Sequence, residues 1–178
     1  RVSVANIGWL DWTSNGNIAG TKGYFYPIEA MEVKLQEKEH SDVTVGNNSY
    51  KETTSSISYT THVSNIGWQN YVSDGELSGT SGRALPIESY KIKLNTEIAG
   101  GITYKSYIAR RGWSNGESND EVSGTTGLAR KIEAIQVSLT GNISNYYDIY
   151  YRTHVSEIGW MGWSKNGESS GCLNSNDD

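Results

Sequence analysis

The 178 residues carry a formal net charge of −5, dispersed along the chain, which excludes the basic stripe that a nucleic-acid binder needs. A single cysteine, Cys172, excludes an intrachain disulfide and a thiolate zinc site. No apolar run approaches the roughly 18 residues of a membrane span. Six Trp and twelve Tyr against one Phe form an amphipathic aromatic set suited to contact surfaces. Gly, Asn, Ser and Thr fill the gaps between short apolar runs, which favours many strands and tight turns. The chain opens at Arg1 inside an expected strand and reads as a mature piece that need not carry its targeting signal.

Taken in order, the chain states one phrase four times. Anchored on Trp9, Trp68, Trp113 and Trp160, a glycine follows eleven residues later at Gly20, Gly79, Gly124 and Gly171. The next residue is Thr21, Thr80 or Thr125, but Cys172 in the last copy. Ile28-Glu29-Ala30, Ile87-Glu88-Ser89 and Ile132-Glu133-Ala134 begin nineteen residues after the anchor. Upstream, tyrosine stands nine before it at Tyr59, Tyr104 and Tyr151. No gap is needed, so the copies are an internal repeat. The units run about 1–35, 59–94, 104–139 and 151–171, the last incomplete, with a polar insert at 36–58 and a tail at 172–178.

Each complete unit predicts two strands. In the first, Tyr151, Thr153 and Val155 share one face by the period of two. The parity shifts at Ile158, and Gly159 follows, which points to a bulge near the tryptophan. The second strand, Ile132 to Leu139, has Ile135, Val137 and Leu139 on opposite parity to Ile132, which implies burial on both faces at its start. Between the strands, Asn15-Gly16, Asp74-Gly75 and Asn166-Gly167 are turn pairs. The insert, rich in Thr and Ser and holding His40, reads as a mobile excursion.

His62-Val63-Ser64-Asn65-Ile66-Gly67-Trp68, Ser78-Gly79-Thr80-Ser81-Gly82, Ile132-Glu133-Ala134-Ile135-Gln136-Val137 and Tyr150-Tyr151-Arg152-Thr153-His154-Val155 resemble the clostridial hydrophobic repeats with a recurrent tryptophan, the ChW repeats. The resemblance covers nearly the whole chain except the insert and tail. It implies a secreted or cell-surface protein of Firmicutes-type bacteria. The family is usually described in terms of adhesion or polysaccharide attachment. Unit three departs from the pattern, with Arg111 at the Ile-Gly-Trp entry and Gly116 where the others have Trp12, Tyr71 and Trp163.

The anchor tryptophans read as one core aromatic per repeat. The second aromatics, Trp12, Tyr71 and Trp163, have two readings. They are loop plugs, or platforms on which the C–H face of a sugar packs while nearby polar groups bond its hydroxyls. Asn15, Asp74 and Asn166 flank them, as hydroxyl partners or as turn formers. Glu29, Glu88 and Glu133 read as structural carboxylates accepting N–H bonds from the Gly-Thr-x-Gly turn, with a ligand role as the alternative. Catalysis finds no support: equivalent glutamates are not the differentiated pair of a glycoside hydrolase, and there is no Gly-x-Ser-x-Gly elbow. No EF-hand spacing is present, and no cofactor or metal is called for.

These residues predict an all-β, pseudo-threefold domain, β-prism-like, with the β-trefoil as alternative and an array of more independent units third. Threefold closure would pair each second strand with the first strand of the next unit. The expected function is non-catalytic carbohydrate binding by several weak sites, Trp12, Asn15, Tyr71, Asp74, Trp163 and Asn166 carrying it. The expected partner is a wall or extracellular polysaccharide. A protein-interaction or surface-assembly module, with a surface protein as partner, is the alternative.

Overall fold

A computed structural model describes residues 1–37 and 43–173; His40 and residues 174–178 of the tail lie outside them. The chain is an all-β repeat, interrupted among the described residues by a single 3-10 turn at Gly141–Asn145. Six strands carry it: β1 (Val2–Val4), β2 (Ile28–Met31), β3 (Ser56–Val63), β4 (Ile87–Asn95), β5 (Gly101–Ile108) and β6 (Ile132–Thr140). Contacts divide the described residues into two compact units, one up to Ser55 and one from Ser56 onward.

The strand pairing differs from the closure expected of a threefold body. Each second strand pairs with the first strand of its own repeat: β1 with β2, β3 with β4, β5 with β6, all antiparallel. The reason is local. The connecting loop brings the chain back beside its own first strand, so no long closure has to form before pairing begins. All three ladders shift register one residue after the position opposite Ala30, Ser89 or Ala134. This bulge falls before the tryptophan, at Ser3/Val4, His62/Val63 and Tyr107/Ile108, rather than at the Ile-Gly expected from the parity change.

After the bulge the first strand turns sharply. Asn6, Asn65, Arg110 and Glu157 take left-handed φ of 62°, 63°, 61° and 66°. The turn returns Gly-Trp antiparallel to the strand it left, with Ser3↔Trp9, His62↔Trp68, Tyr107↔Trp113 and His154↔Trp160. Ile-Gly-Trp is therefore the return arm of a tight hairpin, not a strand end. Further on, the three expected turns close by N–H to carbonyl bonds, Asn17 to Ser14, Glu76 to Ser73 and Glu168 to Lys165, and repeat three closes the same turn from Glu121 to Ser118.

The predicted inward face is the observed one. In β5, Ile102, Tyr104, Ser106 and Ile108 are buried in alternation. Glu88, Ser89 and Tyr90 are buried consecutively, which is the two-faced burial expected at the start of a second strand. Tyr90, Ile92, Ile102, Tyr104, Val137 and Tyr151 form the core of the larger unit. The aromatic of the core is thus tyrosine. The Tyr104 hydroxyl donates to the Ser118 carbonyl at 3.1 Å and to the Glu121 carbonyl. Tyr59 and Tyr151 donate likewise to the carbonyls of Glu76 and Glu168. A second core, in the smaller unit, gathers Val2, Val4 and Leu10 against Ile7, Ala19 and Tyr26.

Within the larger unit, repeats join through the Ser-Gly segments. Ser123–Gly124 pairs with β4 and Ser170–Gly171 with β6, in one register: Gly124↔Ser89 and Gly171↔Ala134. The Thr125 N–H then donates to the Glu88 carbonyl at 2.8 Å, and the Cys172 N–H to the Glu133 carbonyl at 3.0 Å. Glycine is needed here. A Cβ at Gly124 would lie 2.3 Å from the Glu88 carbonyl oxygen, and one at Gly171 2.1 Å from that of Glu133.

In the smaller unit the insert supplies structure where an excursion was expected. Tyr50–Glu52 runs parallel to Gly20–Lys22, tied by Lys22 Nζ to Glu52 Oε1 at 2.6 Å. Val45 bridges Trp12, and the Asn48 N–H donates to Asp11 Oδ2 at 3.0 Å. From Ser56 onward the insert is already β3.

Candidate functional site

The strand parity that buries tyrosine exposes tryptophan. Tyr151, Thr153 and Val155 point to the core side, so Arg152 and His154 point to water. Trp160 lies directly opposite His154, and directly opposed residues share a face. It is therefore on the outside, 47% exposed, and Trp9 and Trp68 are exposed by the same pairing. The expectation that the anchor tryptophans fill the core is corrected by this register.

Each anchor indole rests edge-on against its cross-strand partner where that partner is a ring. Centroids are 5.5 Å apart for His62–Trp68, 5.5 Å for Tyr107–Trp113 and 5.4 Å for His154–Trp160. Trp163 stands exposed beside Trp160. The Arg152 guanidinium lies 4.6 Å from the centroid of each, bridging the two indoles. The first repeat builds the same arrangement: Arg1 lies 4.8 Å from Trp9 and 4.9 Å from Trp12, which is half-buried. Arg1 is also held by Glu32 Oε2 at 2.7 Å. A cation over an indole face contributes about 0.5–1 kcal/mol at such exposed positions and fixes the side chains in place.

Repeats two and three are weaker versions. Thr60 stands where repeats one and four have arginine, and Lys91 on the neighbouring strand covers Trp68 instead, at 5.2 Å. Tyr71 is exposed, but its hydroxyl donates to Asp120 Oδ1. Desolvation, followed by the bond to Asp120, pushes that hydroxyl up to about 12. In repeat three a Cβ at Gly116 would meet Lys105 Cε at 3.8 Å, so the lysine stem covers the missing aromatic.

The polar residues named from sequence form turns. Asp74 Oδ1 accepts from the Ile57 N–H at 3.2 Å, and Asn166 Oδ1 from the Ile149 N–H at 3.0 Å. Asn166 Nδ2 donates to Asp148 Oδ1 at 2.5 Å, and that bond, with Lys165 nearby, holds the Asp148 carboxyl below its usual range. Asn15 lies in an exposed turn at φ 55°. The structure thus brings Trp12 and Trp163 into aromatic pairs, and gives Asp74 and Asn166 backbone-holding roles. Glu88 is buried with Oε2 3.2 Å from His62 Nδ1, and Glu133 Oε1 lies 2.7 Å from Lys131 Nζ. The main-chain carbonyl of Glu88 receives the Thr125 N–H, and that of Glu133 the Cys172 N–H.

Sequence reasoning missed the arginines. Arg1 and Arg152 both stand eight residues before an anchor, and both fall on the outward parity. That shared offset was readable, but its meaning depends on the hairpin that folds the tryptophan back over it.

No helix among the described residues is long and apolar enough to cross a membrane. Comparisons with curated proteins and with solved structures return no match. A comparison with protein families matches Clostridial hydrophobic W over residues 4–37, 62–96 and 108–141. These three stretches make up more than half of the chain, and each begins at the inward valine or isoleucine before the hairpin turn, or the residue just ahead of it, and takes in the second strand of its repeat. The chain belongs to the clostridial hydrophobic W family of repeats.

Proposed function

We propose that this repeat module binds carbohydrate without catalysis, attaching a secreted or cell-surface protein to wall or extracellular polysaccharide. The observation that carries the reading is the outward indole pair bridged by arginine, Trp160 and Trp163 with Arg152, repeated as Trp9 and Trp12 with Arg1. An exposed, rigidly held indole offers a flat apolar face to the C–H side of a sugar ring. The guanidinium keeps N–H groups at the rim of that face for hydroxyls or carboxylates. No deep pocket is required, because an extended glycan crosses an open face. Each face binds weakly, and linked faces act through effective concentration.

The test is titration of the chain with purified bacterial wall polysaccharide. Trp163→Ala and Trp12→Ala each lower affinity about tenfold, or about 1.4 kcal/mol, with little change in melting. Unchanged affinity in both variants sinks the proposal. A hydrolytic reading would need turnover that disappears on changing one carboxylate.

A further inference from the structure

Repeat three departs from the others at one place in the fold, and the indole faces do not account for it. At the hairpin turn after β5 it carries Arg110-Arg111, where repeats one and two have Asn6-Ile7 and Asn65-Ile66. Just before β6 it carries Arg130-Lys131, where they have Tyr26-Pro27 and Leu85-Pro86. One backbone bond ties these two segments together in all three repeats. The Ala5 N–H donates to the Pro27 carbonyl, that of Ser64 to Pro86 and that of Ala109 to Lys131, each at 3.0 Å. The positions are therefore equivalent, and the fold builds them twice from neutral residues.

In repeat three the same bond gathers four cations at one end of the β5–β6 ladder. The Arg111 N–H closes the turn onto the Ile108 carbonyl at 3.0 Å, which keeps Arg110 and Arg111 beside that bond. All four side chains are exposed. Lys131 Nζ lies 2.7 Å from Glu133 Oε1, which offsets one charge. Arg110, Arg111 and Arg130 have no carboxylate partner among the described residues. Like charges gathered in this way repel one another, and the ladder does not require them. Arg110 also sits at φ 61°, a left-handed backbone that asparagine tolerates better than arginine. An anion between the guanidinium groups relieves the repulsion. Guanidinium pairs with carboxylate or phosphate through two parallel N–H bonds. Three of them close together suit a run of anionic groups rather than one. The same repeat lacks the second aromatic, at Gly116, so charge stands here in place of a ring face.

We propose that this end of repeat three binds an anionic polysaccharide, with Arg110, Arg111 and Arg130 taking its carboxylate or phosphate groups. The site is separate from the arginine-bridged indole pairs and does not depend on them. The chain as a whole carries −5, so attraction to such a polymer is local to this end and weakens as salt screens it.

The test is calorimetric titration of the full chain, at low and high salt, with polygalacturonate, phosphomannan and neutral mannan. The first carries carboxylates and the second phosphodiesters, so the tighter binder of the two identifies the anionic group. The triple variant Arg110→Asn, Arg111→Ile and Arg130→Leu takes the residues of repeat two, and circular dichroism checks that it is folded. Each exposed ion pair contributes a factor of about two, so the triple variant should bind the anionic polymer about tenfold more weakly. Trp163→Ala should keep the wild-type affinity for it, and high salt should weaken the wild type. A wild-type chain that binds neither anionic polymer overturns the proposal. So does a folded triple variant that binds as the wild type does. Affinity lost in Trp163→Ala but kept in the triple variant assigns the polymer to the indole face and overturns it too. Equal binding of neutral mannan, or tighter binding of single-stranded oligothymidylate, has the same consequence.

Discussion

Replacing Tyr104 by alanine should destabilise the larger unit far more than replacing Trp160 by alanine. Tyr104 is 1% exposed, and its hydroxyl serves two carbonyls. A fully buried aromatic ring hides roughly 150–250 Å². Truncation also leaves a cavity, so the loss is about 3–5 kcal/mol. The two carbonyls that lose their donor push it toward the upper end. Trp160 keeps about half its surface in water, and water fills the space it leaves. About 100 Å² of lost burial at roughly 25 cal/mol/Å² gives at most about 2.5 kcal/mol. Urea titration followed by far-ultraviolet circular dichroism reads both numbers as shifts in midpoint at constant slope. Equal losses, or a larger loss for Trp160→Ala, would refute the assignment of tyrosine to the core and tryptophan to the surface.

Gly124→Ala and Gly79→Ala share the same backbone strain, about 1–2 kcal/mol. Only the first drives a Cβ into the Glu88 carbonyl and the Ser89 Cα. Gly124→Ala should therefore cost more than about 3 kcal/mol in denaturant titration, and a cost equal to that of Gly79→Ala would remove the strand contact as the reason for glycine. Ser106→Ala breaks the buried 2.7 Å bond between the Ser106 and Ser123 hydroxyls and should cost about 1–2 kcal/mol; no measurable loss speaks against that bond. Burial pushes the Tyr104 hydroxyl up to about 12 and drives Tyr90 above its usual range. Folded values above the ordinary 10.0 favour the neutral forms, so this stability is whole below pH 10 and drains as pH rises toward 12. Thermal melting between those limits checks it, and a flat profile contradicts it.

The repeat made much of the fold legible. A period of two located the inward face of each first strand, and turn pairs located three of the closed turns. Strand partners were not legible. The same alternating pattern satisfies pairing to its own repeat or to the next one, and only the turn at Asn6, Asn65, Arg110 and Glu157 decides. None of these is a glycine, and each takes a positive φ that composition does not announce. The tryptophans were misread for the same reason. Recurrence suggested packing, but the exposure of Trp9, Trp68 and Trp160 follows from register against Ser3, His62 and His154. At the site, Trp12 and Trp163 were readable as aromatics beside turns. Arg1 and Arg152 were not, because their contact with indole depends on that fold-back. Asp74 and Asn166 were readable as turn residues, and their side chains accept the Ile57 and Ile149 N–H groups.

The most direct test of the proposed glycan face is intrinsic tryptophan fluorescence during titration with purified wall polysaccharide, using the wild-type chain and the variants Trp160→Ala, Trp163→Ala and Trp113→Ala. Saturable quenching that weakens in the first two variants and persists in Trp113→Ala is the expected result, because repeat three lacks the second aromatic. Quenching lost only in Trp113→Ala, or no response to any polysaccharide, would contradict the paired indoles as a glycan platform.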